Sequence, residues 1–150
     1  QSLDLLGRKV LGNNGATLKK FGKVIGALIA EEGVNEKMAE FINPLAYLAD
    51  QMTKFTTELG FKGFQNPDEV GAAAVDYLRV AGHLVFGYFW ARMAQTALRE
   101  IAVGNPDPFY LAKVQTARFY FAKLFPETAT LMRTARSGSR ALMDTDAALA

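Results

Sequence analysis

Few residues in this sequence are suited to catalysis. The chain has one histidine, His83, and no cysteine, which excludes thiolate nucleophiles, disulfides and Cys-ligated zinc or iron–sulfur sites. Val80 stands three residues before His83, so the Glu-x-x-His motif of a carboxylate-bridged di-iron bundle is missing. Ser2, Ser137 and Ser139 lack a nucleophile-elbow pattern. We therefore expect His83 to be a hydrogen-bonded core or interface histidine rather than a catalytic residue or a ligand.

Carboxylates occur as adjacent pairs at two places, Glu31-Glu32 and Asp68-Glu69. Neighbouring residues in a helix point about 100° apart, so neither pair aims two carboxylates at one substrate. We expect the first pair to be a solvated helix end. The second pair is expected to be a helix start that the helix dipole stabilises.

Charge is distributed unevenly, although the formal net charge is only +2. The charged residues between positions 113 and 140 are mostly basic, whereas those between positions 31 and 76 are mostly acidic. Arg133, Arg136 and Arg140 are spaced i, i+3, i+7, which predicts one basic helical face near a helix end. A solvated face or intersubunit salt-bridge strip is one interpretation. A contact to the phosphates of nucleic acid or CoA is the other.

Helices must position all of these side chains, because apolar residues recur every three or four positions and no strand-like alternation occurs. One amphipathic helix is predicted to begin near Leu18 and end near Gly33, and the next to cover residues 38–59. Pro44 predicts a kink, or a restart capped by Asn43. The glycines that follow predict a loop at residues 60–65.

The longest predicted helix begins at residues 66–69, Asn-Pro-Asp-Glu, which supply a capping side chain, a proline at the first position and two acids. No breaker appears before Gly104, so this helix has roughly 37 residues and a length of roughly 55 Å. Its centre, residues 80–91, is apolar on every side, which predicts the central post of a bundle. This uncharged run is too short for the ~20 residues that cross a bilayer.

The last long helix is predicted to begin at Asp107-Pro108, to split or bend at Pro126 and to resume as far as Gly138. Residues 144–150 are expected to be a fraying tail. The predicted fold is therefore an all-α antiparallel bundle of four to five helices around one long central helix.

Aromatic residues are concentrated in two predicted helices, the longest one and the one that follows it. Such density is typical of a core, but it covers more than one helical face, so we expect part of this surface to meet another subunit or domain. The ten residues are Phe86, Tyr88, Phe89, Trp90, Phe109, Tyr110, Phe119, Tyr120, Phe121 and Phe125.

Several segments together resemble a known family. They are Asp76-Tyr77-Leu78-Arg79, Gly87-Tyr88-Phe89-Trp90-Ala91-Arg92-Met93-Ala94, Phe109-Tyr110-Leu111-Ala112-Lys113, Thr116-Ala117-Arg118-Phe119-Tyr120-Phe121 and Leu124-Phe125-Pro126-Glu127-Thr128. These residues resemble the extra C-terminal domain of bacterial acyl-CoA dehydrogenases, in the large subgroup that includes 3-methylmercaptopropionyl-CoA dehydrogenases. Residues 1–9 are similar to the stretch directly after the family's catalytic Tyr-Glu-Gly-Thr segment. Residues 13–65 are the least distinctive.

The resemblance implies a parent flavoenzyme. In that family a glutamate removes the substrate α-proton while the β-hydrogen leaves as hydride to the N5 atom of FAD, giving a 2-enoyl-CoA. The glutamate would lie before Gln1, and the domains that hold FAD and acyl-CoA would lie further upstream. The start at Gln1 rather than Met favours the same interpretation.

This interpretation divides the chain into an end segment of the catalytic helical domain at residues 1–12, a C-terminal helical bundle at residues 13–143 and a tail at residues 144–150. The expected role is structural. The expected partners are the rest of the dehydrogenase chain and further copies of the same protein in a homo-oligomer. The resemblance further implies a cytoplasmic protein. It also implies that this piece does not catalyse the reaction alone. The resemblance assigns no residue of this chain to the cofactor.

Two alternatives belong to other functional classes. A related branch, the alkylation-response flavoproteins, uses a basic C-terminal helical region to bind duplex DNA. Three arginines form a narrower footprint than phosphate binding usually needs, which argues against nucleic acid. The other alternative is a free-standing all-α module that dimerises through its aromatic helices.

Overall fold

A computed structural model describes residues 1–12 and 15–143. Its helices are α1 (Ala16–Glu32), α2 (Ala39–Gln65), α3 (Asp68–Ala102), α4 (Pro108–Phe119), α5 (Glu127–Ala135) and the short α6 (Arg140–Met143). A π-helical segment, Asp4–Val10, precedes α1. A 3₁₀ turn, Glu36–Met38, lies between α1 and α2, and a second π-helical segment, Tyr120–Leu124, lies between α4 and α5. The described residues contain no strand, and the predicted all-α bundle is confirmed. The predicted tail at residues 144–150 lies outside the described residues.

The central helix of the bundle is α3, as predicted. It packs against α2, α4 and α5 and against the Asp4–Val10 segment. Its 35 residues span about 52 Å at the usual rise of a helix. Asn66 lies two residues before the helix, and its Oδ1 accepts a hydrogen bond of 3.1 Å from the N–H of Asp68, the first helical residue.

The core lies mainly between α2 and α3. Large side chains that are almost completely buried include Phe41, Met52 and Phe55 of α2 and Tyr77 of α3. The hydroxyl groups of Tyr77 and Thr56 form a hydrogen bond of 2.7 Å inside this core. The packing therefore leaves no unpaired polar atom at the most buried tyrosine.

A single helix, α2, replaces the two pieces that Pro44 suggested. The helix runs from Ala39 through Pro44 without a restart at Asn43, so the predicted restart is wrong, while the alternative of a kink stays a prediction. A proline inside a helix removes one hydrogen bond at a cost of about 3 kcal/mol. The buried side chains on both sides of it, Phe41 and Leu45, favour the continuous helix, since each stabilises by about 1.5–3 kcal/mol when fully buried.

The loop predicted at residues 60–65 is also wrong, because α2 continues to Gln65. Glycine is permitted in a helix and here it has a packing role. A Cβ atom on Gly63 would lie 2.5 Å from Cγ2 of Val70, at the start of α3. The missing side chain lets the end of α2 and the start of α3 approach closely.

The C-terminal part begins as predicted at Asp107, whose Oδ1 accepts a hydrogen bond of 2.9 Å from the Phe109 N–H. The helix passes into a π-helical segment, in which Phe125 N donates to Tyr120 O at 2.9 Å. Pro126 then separates this segment from α5, so the predicted split is confirmed. In the part of the chain that the structure describes, no helix is long and apolar enough to cross a membrane.

Candidate functional site

Metal chemistry has no obvious site among the described residues. No group of three or more His, Cys, Asp or Glu side chains there lies close enough together to hold a metal ion. In the same residues, every buried side-chain nitrogen or oxygen has a hydrogen-bond partner within the protein. The notable features are therefore three polar clusters and an exposed apolar surface.

His83 lies in the first polar cluster, with its side chain only 15% exposed. Its Nε2 atom donates to Oε2 of Glu127 at 2.8 Å, and Nδ1 lies 3.0 Å from the Tyr120 hydroxyl. That hydroxyl also donates to the His83 carbonyl oxygen at 3.2 Å. Arg79 pairs with the other oxygen of Glu127. The prediction of a hydrogen-bonded histidine is confirmed.

Electrostatics fix the protonation of the groups around His83. The hydrogen bond from His83 lowers the pKa of Glu127, and the positive charge of Arg79 adds to this effect. Burial raises the pKa of Tyr120 to about 12. Tyr120 therefore remains a protonated donor at neutral pH. The cluster fastens α3 to α5 and to the Tyr120–Leu124 segment, and it presents no activated nucleophile.

Glu32 lies in the second cluster, and the prediction that it belongs to a solvated helix end is wrong. The side chain is 5% exposed. It accepts hydrogen bonds from Gln95 at 2.5 Å, from Asn35 at 2.7 Å and from Arg99 at 3.0 Å. Arg99 also bonds the exposed Glu31 at 2.7 Å. One guanidinium thus bridges both carboxylates and clamps the end of α1 to α3.

The pKa of Glu32 reflects this clamp. Burial by itself raises the pKa, but hydrogen bonds from Gln95 and Asn35 and the charge of Arg99 outweigh burial and lower it. Glu32 is therefore ionised at neutral pH although it is buried. No local signal predicts this contact, because Gln95 lies 63 residues away.

The third cluster joins the start of α3 to the end of the described chain. Oε1 of Glu69 accepts hydrogen bonds from Ser139 Oγ at 2.6 Å and from Ser139 N at 3.1 Å. These bonds lower the pKa of Glu69. Gly138, with φ of 82°, makes the turn that brings Ser139 there, because only glycine adopts this backbone region at little cost.

The three arginines singled out from the sequence do not share one helix. Arg133 lies in α5, which ends at Ala135, and Arg140 begins α6 beyond the left-handed Gly138. The prediction of a common helical face is wrong because the helix ends between them. Their predicted contact with phosphate or a second subunit stays a prediction.

Arg136 is held within the chain. Its Nη1 and Nη2 atoms each donate to Oε1 of Gln51 at 3.3 Å, and Nε lies 3.7 Å from Oε2 of Glu58. The guanidinium also lies 5.3 Å from the ring centroid of Phe55. Arg133, by contrast, is exposed. The pair thus combines one fixed cation with one that projects into solvent.

One face of α3 is apolar and uncovered. We call Val75, Val85, Phe86 and Phe89 the α3 stripe. Phe86 is 60% exposed and Phe89 is 55% exposed, so the prediction that this helix is surrounded on every side is wrong for the chain by itself. The i, i+11, i+14 spacing of Val75, Phe86 and Phe89 could have revealed a second apolar face.

Contacts between aromatic rings flank the α3 stripe on both sides. On one side Tyr88 meets Phe21 of α1, with ring centroids 6.0 Å apart. On the other side Trp90 stacks on Tyr120 at 6.4 Å. Further exposed rings lie on α4 and at the end of α2, where Phe64 is 94% exposed. Part of the aromatic surface is thus exposed, as expected, and its contact with another subunit or domain stays a prediction.

Two comparisons relate the chain to known proteins. A family model described as "Acetyl-CoA dehydrogenase C-terminal like" matches residues 17–146. The chain belongs to this family. The chain is also 31% identical, over 130 residues, to 3-methylmercaptopropionyl-CoA dehydrogenase of Ruegeria pomeroyi. That match covers 85% of this chain and 22% of the relative. The chain thus spans about a fifth of the relative's length, and the family resemblance of its sequence is confirmed.

Proposed function

We propose that this chain is the C-terminal structural domain of an FAD-dependent acyl-CoA dehydrogenase that converts an acyl-CoA to a 2-enoyl-CoA. The observation that carries this proposal is the 130-residue match, which takes in most of this chain and only 22% of a dehydrogenase. Residues outside the chain would perform the reaction. In this proposal the parent is a cytoplasmic homo-oligomer.

We assign no described residue to FAD and no step of the reaction to this chain. A dinucleotide needs backbone or side-chain donors that are free to meet its phosphates. Every buried side-chain donor in the described part of the chain already has a partner within the protein. The chain also has no Gly-rich phosphate-binding motif.

The α3 stripe is the surface through which this domain would brace the rest of the dehydrogenase chain. Covering one large apolar side chain stabilises a complex by about 1.5–3 kcal/mol. The stripe lies on the central helix, which α2, α4 and α5 hold in place. A rigid apolar face of this kind suits a permanent contact between domains. The occupant we propose is the remaining part of the dehydrogenase.

The first experiment is to sequence the reading frame upstream of Gln1 and to express all that it encodes. We expect an in-frame Tyr-Glu-Gly-Thr-like segment, a yellow protein with bound flavin, and dye reduction that depends on an added acyl-CoA. A start codon directly before Gln1, or a protein without flavin, would overturn the proposal.

The brace is tested in that expressed protein by the double variant Phe86→Ser/Phe89→Ser. Loss of apolar contact should lower the melting temperature and weaken flavin retention. The control is Val34→Ser/Val103→Ser, which alters two exposed valines outside the α3 stripe and should leave both measurements unchanged. Equal behaviour of the two double variants would show that the stripe does not brace the enzyme.

A further inference from the structure

A groove of about 780 Å³ lies between α2 and α5. This volume falls in the range of about 300–1,000 Å³ that is typical of small-molecule sites. Apolar side chains form most of its wall, namely Leu48, Phe121, Phe125 and Met132. The groove exists because α5 packs against α3 rather than closely against α2. It is separate from the α3 stripe.

Two cations stand at one end of this groove. Arg136 is fixed there by Gln51 and Glu58, and Arg133 lines the same end. Arg133 is exposed, and it has no ion pair or hydrogen bond with the other described residues. Its guanidinium is therefore available to a ligand.

The charge of the groove is one-sided. No aspartate or glutamate is among the described residues that line it. Glu58 lies beside Arg136 but outside the lining, and it balances one of the two positive charges. The remaining polar lining groups, such as Tyr47, Gln51 and Ser137, are neutral. An arginine pair with one unbalanced charge favours a carboxylate or a phosphate, which guanidinium groups bind in a bidentate manner.

We propose that this groove binds an amphiphilic anion with a single alkyl chain. The anionic head would contact Arg133 and Arg136. The alkyl chain would lie over Pro44 and Ala129, with the almost completely buried Leu48 and Met132 beneath them. The arrangement joins an apolar wall to a cationic end, which neither a neutral lipid nor an inorganic anion would match. The proposal rests on the groove and its two arginines, and it does not depend on the function proposed above.

Such an anion could be a free fatty acid or an alkyl phosphate, and the two differ in their head groups. Laurate and dodecyl phosphate carry the same chain on different heads, and dodecanol carries that chain without charge. The probes are titrated into the intact protein by isothermal titration calorimetry, each below the concentration at which it forms micelles. We expect both anions to bind at least tenfold more tightly than dodecanol.

Two variants test the placement. Arg133→Ala removes an exposed side chain and should weaken binding of both anions at least fivefold, with no effect on dodecanol. Ala129→Trp fills the groove, since Ala129 lines it and is exposed, and should abolish binding of all three probes. Lys123→Ala removes an exposed base outside the lining and should leave every affinity unchanged.

Other results would overturn the proposal. Binding that survives both Arg133→Ala and Ala129→Trp would place the amphiphile elsewhere, for example on the α3 stripe. The absence of binding by laurate and dodecyl phosphate to a folded wild-type protein would show that the groove takes no such ligand. If an acidic segment of the parent protein protected Arg133 from chemical modification, the groove would bind a protein segment instead of an amphiphile.

Discussion

The two faces of α3 carry equally apolar residues but have different surroundings. On one face Tyr77, Val80 and Leu84 are almost completely buried against the other helices. On the opposite face Val75 and Phe86 are exposed. Contacts within the chain cover only one of these two apolar faces. The other face has the composition of a core and the exposure of a surface, which is the combination that the domain contact proposed above would need.

The largest expected effect separates these two faces directly. Leu84→Ala should lower the free energy of unfolding of the chain by about 2–5 kcal/mol, because it opens a cavity in the buried face. Phe86→Ala, on the exposed face, should change it by less than about 0.5 kcal/mol. Urea denaturation of both variants measures the difference. Similar losses in the two would mean that the chain covers the exposed face itself, for example by self-association.

The clamp between α1 and α3 should have the next largest effect. Glu32→Ala leaves the buried amide of Gln95 without its acceptor, and we expect the free energy of unfolding to fall by about 1–3 kcal/mol. Thermal unfolding followed by circular dichroism is the measurement. Glu36→Ala in the adjacent turn, where the glutamate is exposed, serves as the control and should leave the unfolding temperature nearly unchanged.

The same clamp predicts a pH dependence. The pKa of Glu32 is lower in the folded chain than its ordinary value of 4.5, so its contribution to stability is fully present above about pH 4.5. It is lost as the pH falls through the folded pKa, where the carboxylate takes up a proton. Stability of the wild type should therefore fall in this acidic range, and Glu32→Gln should flatten the fall. An unchanged slope in Glu32→Gln would contradict the assignment.

Two glycines of α3 are expected to respond to alanine with opposite changes in stability. A Cβ atom at Gly87 would lie 2.8 Å from Cε2 of Phe125, and Gly87→Ala should cost about 1–3 kcal/mol through overpacking. A Cβ atom at Gly82 would meet nothing within 4 Å. Gly82→Ala should therefore stabilise by about 0.5–1 kcal/mol, the usual helical preference for alanine. Effects of the same sign in both variants would contradict this packing.

Local signals in the sequence predicted the skeleton of the fold. The capping side chains of Asn66 and Asp107 act within a few residues, so they could be recognised before any tertiary contact was known. Pro126 separates two helices for an equally local reason, since proline cannot continue a helix interior. The family resemblance, confirmed by the comparisons, came from short aromatic segments rather than from any site of chemistry.

Predictions failed where distant contacts decide the structure. The glycines after Leu59 suggested a loop, but Gly63 serves a close approach to Val70 in the next helix. Glu32 looked solvated because its partner Gln95 lies far along the chain. The exposed face of α3 looked like core, because a sequence shows that a face is apolar but not which chain covers it.

The bond between Glu69 and Ser139 joins positions 70 residues apart, and it can form only after α3, α4 and α5 have taken their places. The Ser139 amide, which donates to Glu69, would be protected from hydrogen exchange with solvent only while this contact is closed. One amide near the end of the described chain thus reports whether the bundle has closed. Hydrogen exchange at this single position would follow the last stage of folding.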